Sequence, residues 1–163
     1  MPRELRRVQE QPFPTFLYGT AWKEDATEGC VSDALAAGFR GFDTANQRKH
    51  YFEAGVGQAI LAAVAGGAVR REELFLQTKF TFVRGQDHRL PYDAAAPFGE
   101  QVAQSFASSL SHLGVTELDS YVLHGPMQGR GLVRADEEVW RAMESLHEGG
   151  SVKLLGISNV SAE

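Results

Sequence analysis

Short apolar runs alternate along this chain with longer segments in which apolar residues recur every three or four positions. The runs predict strands and the longer segments predict helices, and their regular alternation is typical of βαβ units in a parallel sheet. The predicted strands are residues 16–18, 41–42, 74–77, 120–123 and 153–156. The apolar positions of the four predicted helices are Val31, Ala34 and Leu35; Val56, Ile60 and Val64; Val102, Phe106, Leu110 and Leu113; and Val139, Met143 and Leu146.

Glycine follows each predicted helix, and a left-handed glycine is a common helix stop. The chain thus divides into an N-terminal extension (residues 1–15) and a domain (residues 16–163) of four strand–helix units plus a fifth strand. A closed (β/α)₈ barrel needs about 250 residues, so we predict an α/β fold of the TIM-barrel type, with its first five strands and four helices. Ser161 resembles the N-cap of a fifth helix, before which the domain looks truncated. An open five-stranded sheet is the alternative, although parallel sheets usually have both faces covered.

Composition favours one domain without nucleic-acid or membrane partners. The 16 basic and 21 acidic residues give a formal charge of −5, and no basic cluster is interleaved with aromatic residues. No apolar run approaches the roughly 18 residues of a membrane span, and no signal-peptide pattern follows the basic start. Cys30 is the only cysteine, so an internal disulfide is impossible and a cytoplasmic location is the simpler prediction.

Polar residues of catalytic type follow four consecutive predicted strands. Asp43 follows the second strand, Lys79 the third and His124 the fourth, and the pair Ser158 and Asn159 follows the fifth. Catalytic groups of α/β sheets gather at the carboxyl ends of the strands, so these side chains are expected to lie close together. A single polar residue at the end of a strand more often has a structural role. Polar residues at the ends of four successive strands favour a shared functional site.

These residue types suit chemistry on a carbonyl group. A lysine beside an aspartate stays charged, and its field is expected to lower the pKa of a neighbouring phenol from about 10, which makes the phenol a usable proton donor. A histidine can orient a carbonyl oxygen, and a serine–asparagine pair can grip a carboxamide. Such a set polarises and protonates a carbonyl once another group delivers a hydride. The sequence shows no metal-binding cluster, nucleophile elbow or glycine-rich phosphate loop.

Six stretches of the sequence resemble the aldo-keto reductases, a family of NADP(H)-dependent (β/α)₈ barrels that reduce aldehydes and ketones. They occur in the family's order and at its approximate spacing. The stretches are YGTAWK (18–23), GFRGFDTA (38–45), EAGVGQAI (53–60), LFLQTKF (74–80), LDSYVLHGP (118–126) and GISN (156–159). The resemblance implies NADP(H) as cofactor and a small-molecule carbonyl compound as substrate.

The resemblance also implies roles for individual residues. Asp43, Lys79 and His124 match three members of the family's catalytic tetrad: the aspartate, the lysine that lowers the tyrosine pKa and the histidine that orients the carbonyl. Ser158 and Asn159 match the pair that holds the nicotinamide carboxamide. Further residues are expected near the cofactor (Thr20, Trp22 and Asp43) or the substrate (Trp22, His50 and Phe80).

The tyrosine of the tetrad is where this sequence departs from the family. Members usually place it five residues after the aspartate, in a DTAxxYxNE-like run, where this chain has Arg48. Two extra residues precede Glu53, and counting back from Glu53 places His50 in the tyrosine position, with Tyr51 one residue beyond. We expect Tyr51 to donate the proton because only a phenol suits the lysine's field, and His50 remains the alternative.

The function predicted from the resemblance is NADPH-dependent reduction of an aldehyde or ketone. The long aromatic connection over residues 80–98, together with Trp22, suggests an apolar or aromatic substrate. In family members most contacts with the cofactor come from the second half of the barrel. A monomer of this chain is therefore expected to bind NADPH weakly or not at all. Another chain is a candidate partner that covers the open sheet edge. The alternatives are a non-catalytic binding or regulatory protein of the same ancestry, and a lyase that uses Lys79 as a Schiff-base amine.

Overall fold

The structure, a computed structural model, describes residues 6–8, 11–129 and 131–161. An antiparallel hairpin of two short strands, β1 (Arg6–Val8) and β2 (Gln11–Phe13), comes first. Five parallel strands then form one sheet in chain order: β3 (Tyr18–Gly19), β4 (Gly41–Asp43), β5 (Phe75–Phe80), β6 (Leu118–Leu123) and β7 (Val152–Ile157).

One helix lies between each pair of successive parallel strands. The helices are α1 (Thr27–Ala36), α2 (Glu53–Ala65), α3 (Phe98–Leu113) and α4 (Arg134–Glu148), and each packs on the next. A doubly wound sheet would reverse its strand order at a switch point, whereas sequential order with one helix per crossover is the topology of a (β/α) barrel. The predicted fold of five parallel strands and four helices is confirmed.

The hydrophobic core lies between the sheet and the helices. Side chains alternate between the two faces of a strand, and in β5 the face of Leu76 and Phe80 packs into this core. The largest fully buried side chains of the other elements include Phe42, Ile60, Leu113, Tyr121, Leu123 and Met143. The predicted apolar position Val64 is an exception, since this residue near the end of α2 is 36% exposed.

Helices α2 and α3 pack at unusually close range through Gly57. A Cβ atom at this position would lie 2.1 Å from the carbonyl oxygen of His112 and 2.9 Å from the Cα atom of Leu113. At the end of α3, Gly114 takes a left-handed conformation (φ +67°) and its N–H donates to the carbonyl of Leu110. The predicted glycine stop is thus present at this helix.

The first hairpin covers the amino-terminal end of the sheet. The ring of Phe13 packs edge-on against Phe75 at the start of β5, with 4.8 Å between the ring centroids. Strand β3 starts two residues later than predicted, and Phe16 is 75% exposed. Strand β5 runs three residues beyond its predicted end, through Phe80. No helix within the described ranges is both long and apolar enough to cross a membrane.

Candidate active site

Asp43 and Lys79 form an ion pair at the carboxyl ends of two neighbouring strands. Asp43 is the last residue of β4, and Lys79 lies near the end of β5. Nζ of Lys79 lies 2.7 Å from Oδ2 of Asp43 and also donates to the carbonyl of Thr44 at 2.8 Å. Lys79 is buried, and burial lowers its pKa, although the charge of Asp43 acts in the opposite direction.

Two further polar residues fix the carboxylate of Asp43. Nε2 of Gln77 donates to Oδ1 of Asp43 at 2.8 Å, and the Ser120 hydroxyl donates to Oε1 of Gln77 at 2.9 Å. The sheet register pairs Asp43 with Gln77 and Gln77 with Ser120, so the three side chains share one face. This chain of hydrogen bonds holds the carboxylate where it meets Lys79.

Tyr51 lies beside this ion pair. Nζ of Lys79 is 5.0 Å from the centroid of the Tyr51 ring, and the Tyr51 ring meets the His124 ring edge-on at a centroid distance of 5.8 Å. The pKa of Tyr51 is raised above 10, mainly by burial and secondly by the charge of Asp43. The expected lowering of this pKa is therefore not seen in this structure, because burial and, secondly, the charge of Asp43 both raise it.

His124 follows β6 directly and is held by a hydroxyl group. Its Nδ1 lies 2.8 Å from Oγ1 of Thr81. Burial lowers the pKa of His124 to about 4, and the charge of Lys79 acts in the same direction. The imidazole is therefore neutral at pH 7, so it has one N–H to offer to a carbonyl oxygen.

Trp22 and His50 stack at the rim of the site. Their ring centroids lie 3.9 Å apart, and the Trp22 backbone N–H donates to the carbonyl of His50 at 2.7 Å. Nδ1 of His50 contacts Oε1 of Gln47 at 3.1 Å, and burial followed by the charge of Lys49 lowers the pKa of His50. Trp22 is 71% exposed, so it offers a broad aromatic surface.

Ser158 and Asn159 lie beside His124 after the last strand. The Ser158 hydroxyl and Nδ2 of Asn159 each donate to the His124 carbonyl at 2.6 Å. Asn159 has a left-handed backbone conformation (φ +55°) and an exposed side chain. An asparagine amide carries both a donor and an acceptor, so this pair fits a carboxamide group such as that of a nicotinamide.

Two sequence-predicted site residues do not face the site. Thr20 is fully buried, and its hydroxyl donates to the Asp43 carbonyl at 2.9 Å, so it supports Asp43 and presents no surface to a cofactor. Phe80 is also fully buried and stacks on Tyr92 at 5.5 Å in the core. The prediction that Phe80 lines a substrate pocket is wrong because β5 extends through residue 80, and residue 80 faces away from Lys79.

Thr81 and Gln77 are site residues that the sequence interpretation missed. Both stand two residues from Lys79 along the chain, and alternate residues of a strand share a face. Extending the predicted third strand to residue 80 would have placed Gln77 beside Lys79 and Thr81 directly beyond it.

A cavity of about 270 Å³ adjoins His124 and includes Thr81 and Asn159 in its walls. A second cavity, of about 680 Å³, lies at the opposite end of the strands beneath the hairpin and contains none of the predicted catalytic side chains. Within residues 6–8, 11–129 and 131–161, no three His, Cys, Asp or Glu side chains are grouped so that they could hold a metal ion.

Comparison with known proteins gives consistent matches. The profile of the Aldo/keto reductase family matches residues 16–163. The protein named uncharacterized oxidoreductase YtbE of Bacillus subtilis (strain 168) is 33% identical over 148 residues, which cover 90% of this chain and 46% of that protein. Methylglyoxal reductase DkgA of Escherichia coli O157:H7 is 33% identical over 129 residues, which cover 79% of this chain and 38% of that protein.

Solved structures agree with the sequence matches. The crystal structure of an aldo/keto reductase from Brucella melitensis has a TM-score of 0.73 at 32% identity, over 98% of this chain and 56% of that chain. The Bombyx mori aldo-keto reductase AKR2E4 in complex with NADP has a TM-score of 0.69 at 27% identity, over 91% of this chain and 48% of that chain. The chain spans about half the length of the curated relatives it matches. It is a member of the Aldo/keto reductase family.

Proposed function

We propose that this chain carries the carbonyl-reducing site of an NADP(H)-dependent oxidoreductase, with Tyr51, Lys79, Asp43 and His124 as the catalytic residues. One observation carries the proposal: Nζ of the buried Lys79, which is paired with Asp43, lies against the Tyr51 ring, and the His124 ring meets the Tyr51 ring edge-on. A cation, a phenol and a neutral imidazole in one cluster of side chains suit a carbonyl oxygen that gains negative charge and then a proton.

Each residue has a distinct part in the proposed step. The neutral His124 donates an N–H to the carbonyl oxygen and so orients it. The Tyr51 O–H bond breaks as its proton moves to that oxygen, and the charge of Lys79 stabilises the phenolate that remains. The raised pKa of Tyr51 keeps the phenol protonated at neutral pH. Asp43 holds Lys79 in position at 2.7 Å.

NADP(H) is the cofactor we propose, and a bound reduced nicotinamide would supply the hydride to the carbonyl carbon. The Ser158–Asn159 pair would hold its carboxamide, and the exposed face of Trp22 would line its pocket. The relatives support this choice, because the matched Bombyx mori enzyme was solved with NADP. The name of the Escherichia coli relative, a methylglyoxal reductase, supports an aldehyde or ketone substrate.

The proposal includes a partner segment beside β7. In the described part of the chain β7 pairs only with β6, so its other side leaves backbone groups without strand partners. A polypeptide segment that adds parallel strands there would bury this edge and complete the wall of the site. Tight NADPH binding is expected only with that segment in place.

The experiment that tests the proposed function follows the transfer of deuterium from NADPH to the alcohol product. The chain is incubated with 4-nitrobenzaldehyde and an excess of NADPH that carries deuterium at both C4 positions, and the alcohol is analysed by mass spectrometry. We expect one deuterium per molecule of alcohol, and a loss of at least ~100-fold in rate for Lys79→Met, which removes the cation. An alcohol without deuterium would contradict the proposal, and a chain that binds a partner tightly yet reduces no carbonyl would favour a binding protein.

A further inference from the structure

The cavity beside His124 is lined by residues that follow four successive strands, and one of these residues, Arg84, carries a positive charge. Gln47 comes from the loop after β4. Thr81 and Arg84 come from the loop after β5, His124 and Met127 from the loop after β6, and Asn159 from the segment after β7. Its volume of about 270 Å³ equals that of roughly nine water molecules at ~30 Å³ each. A small aromatic aldehyde fits such a space.

The guanidinium of Arg84 is held at the wall of this cavity. Nη1 donates to the Met127 carbonyl at 3.3 Å, and the two terminal nitrogens pack on Gly129, where a Cβ atom would lie 3.6 and 3.7 Å from them. Arg84 lies in a short turn (Val83–Gly85). Gln47 holds this turn in place, because Nε2 of Gln47 donates to the Gly85 carbonyl at 2.6 Å. The loop after β6 thus contacts the guanidinium, and Gln47 fixes the turn that bears it. A guanidinium has five N–H groups, and among the described residues one of them has a hydrogen-bond acceptor.

The charges around the cavity favour an anion. Among the described residues, no carboxylate forms an ion pair with Arg84, and no Asp or Glu lines the cavity. Glu138 lines a neighbouring hollow together with Arg84, but its Oε1 accepts from Nε of Arg134 at 3.0 Å. Lys79 is paired with Asp43 and does not line this cavity, so among the described lining residues Arg84 is the one with a permanent positive charge.

We infer that the site takes carbonyl substrates that carry a carboxylate, with Arg84 as the residue that selects them. A guanidinium binds a carboxylate through two parallel N–H···O bonds, which gives both affinity and orientation. His124 and Arg84 line the same small cavity, so a substrate whose carbonyl oxygen meets His124 can direct a carboxylate a few bonds away to Arg84. This inference rests on the proposed function, because it names the substrate class of the same site.

The test compares two nearly isosteric aldehydes, 4-formylbenzoate and its methyl ester, in the same NADPH-dependent assay. We expect the parent chain to prefer the acid by about 3- to 5-fold in kcat/KM, because Arg84 is exposed and ion pairs at exposed side chains are weak. Arg84→Gln is expected to lose the preference, so that the ratio of kcat/KM for the acid to kcat/KM for the ester falls to about one. Arg134→Gln on α4 removes the same charge at a side chain that is 90% exposed, so it is expected to keep the preference.

The outcomes separate this inference from the proposed function. Equal kcat/KM for acid and ester in the parent, or a preference that survives Arg84→Gln, would overturn the inference while carbonyl reduction stands. If neither aldehyde is reduced even with NADPH in large excess, the proposed function fails, and a binding measurement decides the inference. In that measurement 4-(hydroxymethyl)benzoate is expected to raise the Tm of the parent and of Arg134→Gln but not of Arg84→Gln, and the absence of this difference would overturn it.

Discussion

Nζ of Lys79 lies 2.7 Å from Oδ2 of Asp43, and only 7% of Lys79 is exposed to solvent. The burial that lowers the pKa of Lys79 is opposed by the charge and hydrogen bond of Asp43. Since Lys79 also faces the Tyr51 ring, the stability of this ion pair and the proposed chemistry depend on the same contact.

Replacing Asp43 by asparagine is expected to destabilise the chain by about 3 kcal/mol, because it leaves a buried ammonium group without its counterion. The double variant Asp43→Asn/Lys79→Met removes both charges, so it is expected to recover most of this loss. Urea unfolding measures both values. If the double variant were less stable than Asp43→Asn alone, the uncompensated charge would not be the cause of the loss.

His124 is expected to titrate with a pKa of about 4, as followed by NMR of its ring carbons. Burial is the main cause and the charge of Lys79 the second, so Lys79→Met is expected to raise this pKa without restoring the ordinary 6.5. A measured pKa near 6.5 in the parent chain would contradict the buried position of the ring.

This shift also sets a dependence of stability on pH. The folded-state pKa of His124 is lower than the unfolded-state value, so the unfolded chain binds more protons between pH 6.5 and 4. The free energy of unfolding is therefore expected to fall as the pH is lowered through this window. Comparison with His124→Gln isolates the contribution, since the variant is expected to lose less stability over the same range.

Thr81→Val is expected to lower kcat/KM about 10-fold, because the variant loses one hydrogen bond to His124 and a loss of this size is typical of one hydrogen bond. The variant keeps the shape of Thr81 but removes the hydroxyl that lies 2.8 Å from Nδ1 of His124. Thr81→Ser keeps the hydroxyl and serves as the control. Nitrogen NMR of the His124 ring is expected to show the tautomer with hydrogen on Nε2 in the parent and a mixture in Thr81→Val, and an unchanged spectrum would exclude a positioning role.

Gly57→Ala is expected to cost about 3 kcal/mol, because overpacking forces backbone shifts where the new Cβ would lie 2.1 Å from the His112 carbonyl. Gly29→Ala in α1 has open space around the new methyl group and is expected to stabilise the chain by about 0.5–1 kcal/mol. Urea unfolding of the two variants measures the difference. Equal stability of both would show that α2 and α3 are not held at close range.

The sheet and part of the site were predictable from the sequence because parallel strands direct their carboxyl ends to one edge. Asp43, Lys79 and His124 each follow or end an apolar run, and this placement alone predicts that they meet. The error at Phe80 arose from the strand end, since a three-residue difference in that boundary decides whether a side chain faces the site or the core.

Other features depend on tertiary structure that a sequence pattern does not encode. The loop between Asp43 and Glu53 is longer than the family pattern expects, so spacing did not distinguish Tyr51 from His50. In the structure Tyr51 lies against Nζ of Lys79, and His50 packs on Trp22. The direction of the Tyr51 pKa shift depends on the burial of the phenol and on how near the charge of Asp43 lies to it. Both quantities exist only in the folded chain.

The steady-state kcat of Tyr51→Phe and His50→Phe, with NADPH and 4-nitrobenzaldehyde, tests the assignment of the proton donor. Removing a general acid costs about 100-fold or more, so Tyr51→Phe is expected to lose at least that factor. Phenylalanine at position 50 keeps the ring contact with Trp22, so His50→Phe is expected to stay within about threefold of the parent. A Tyr51→Phe variant with the parent's kcat, or an inactive His50→Phe, would contradict Tyr51 as the proton donor.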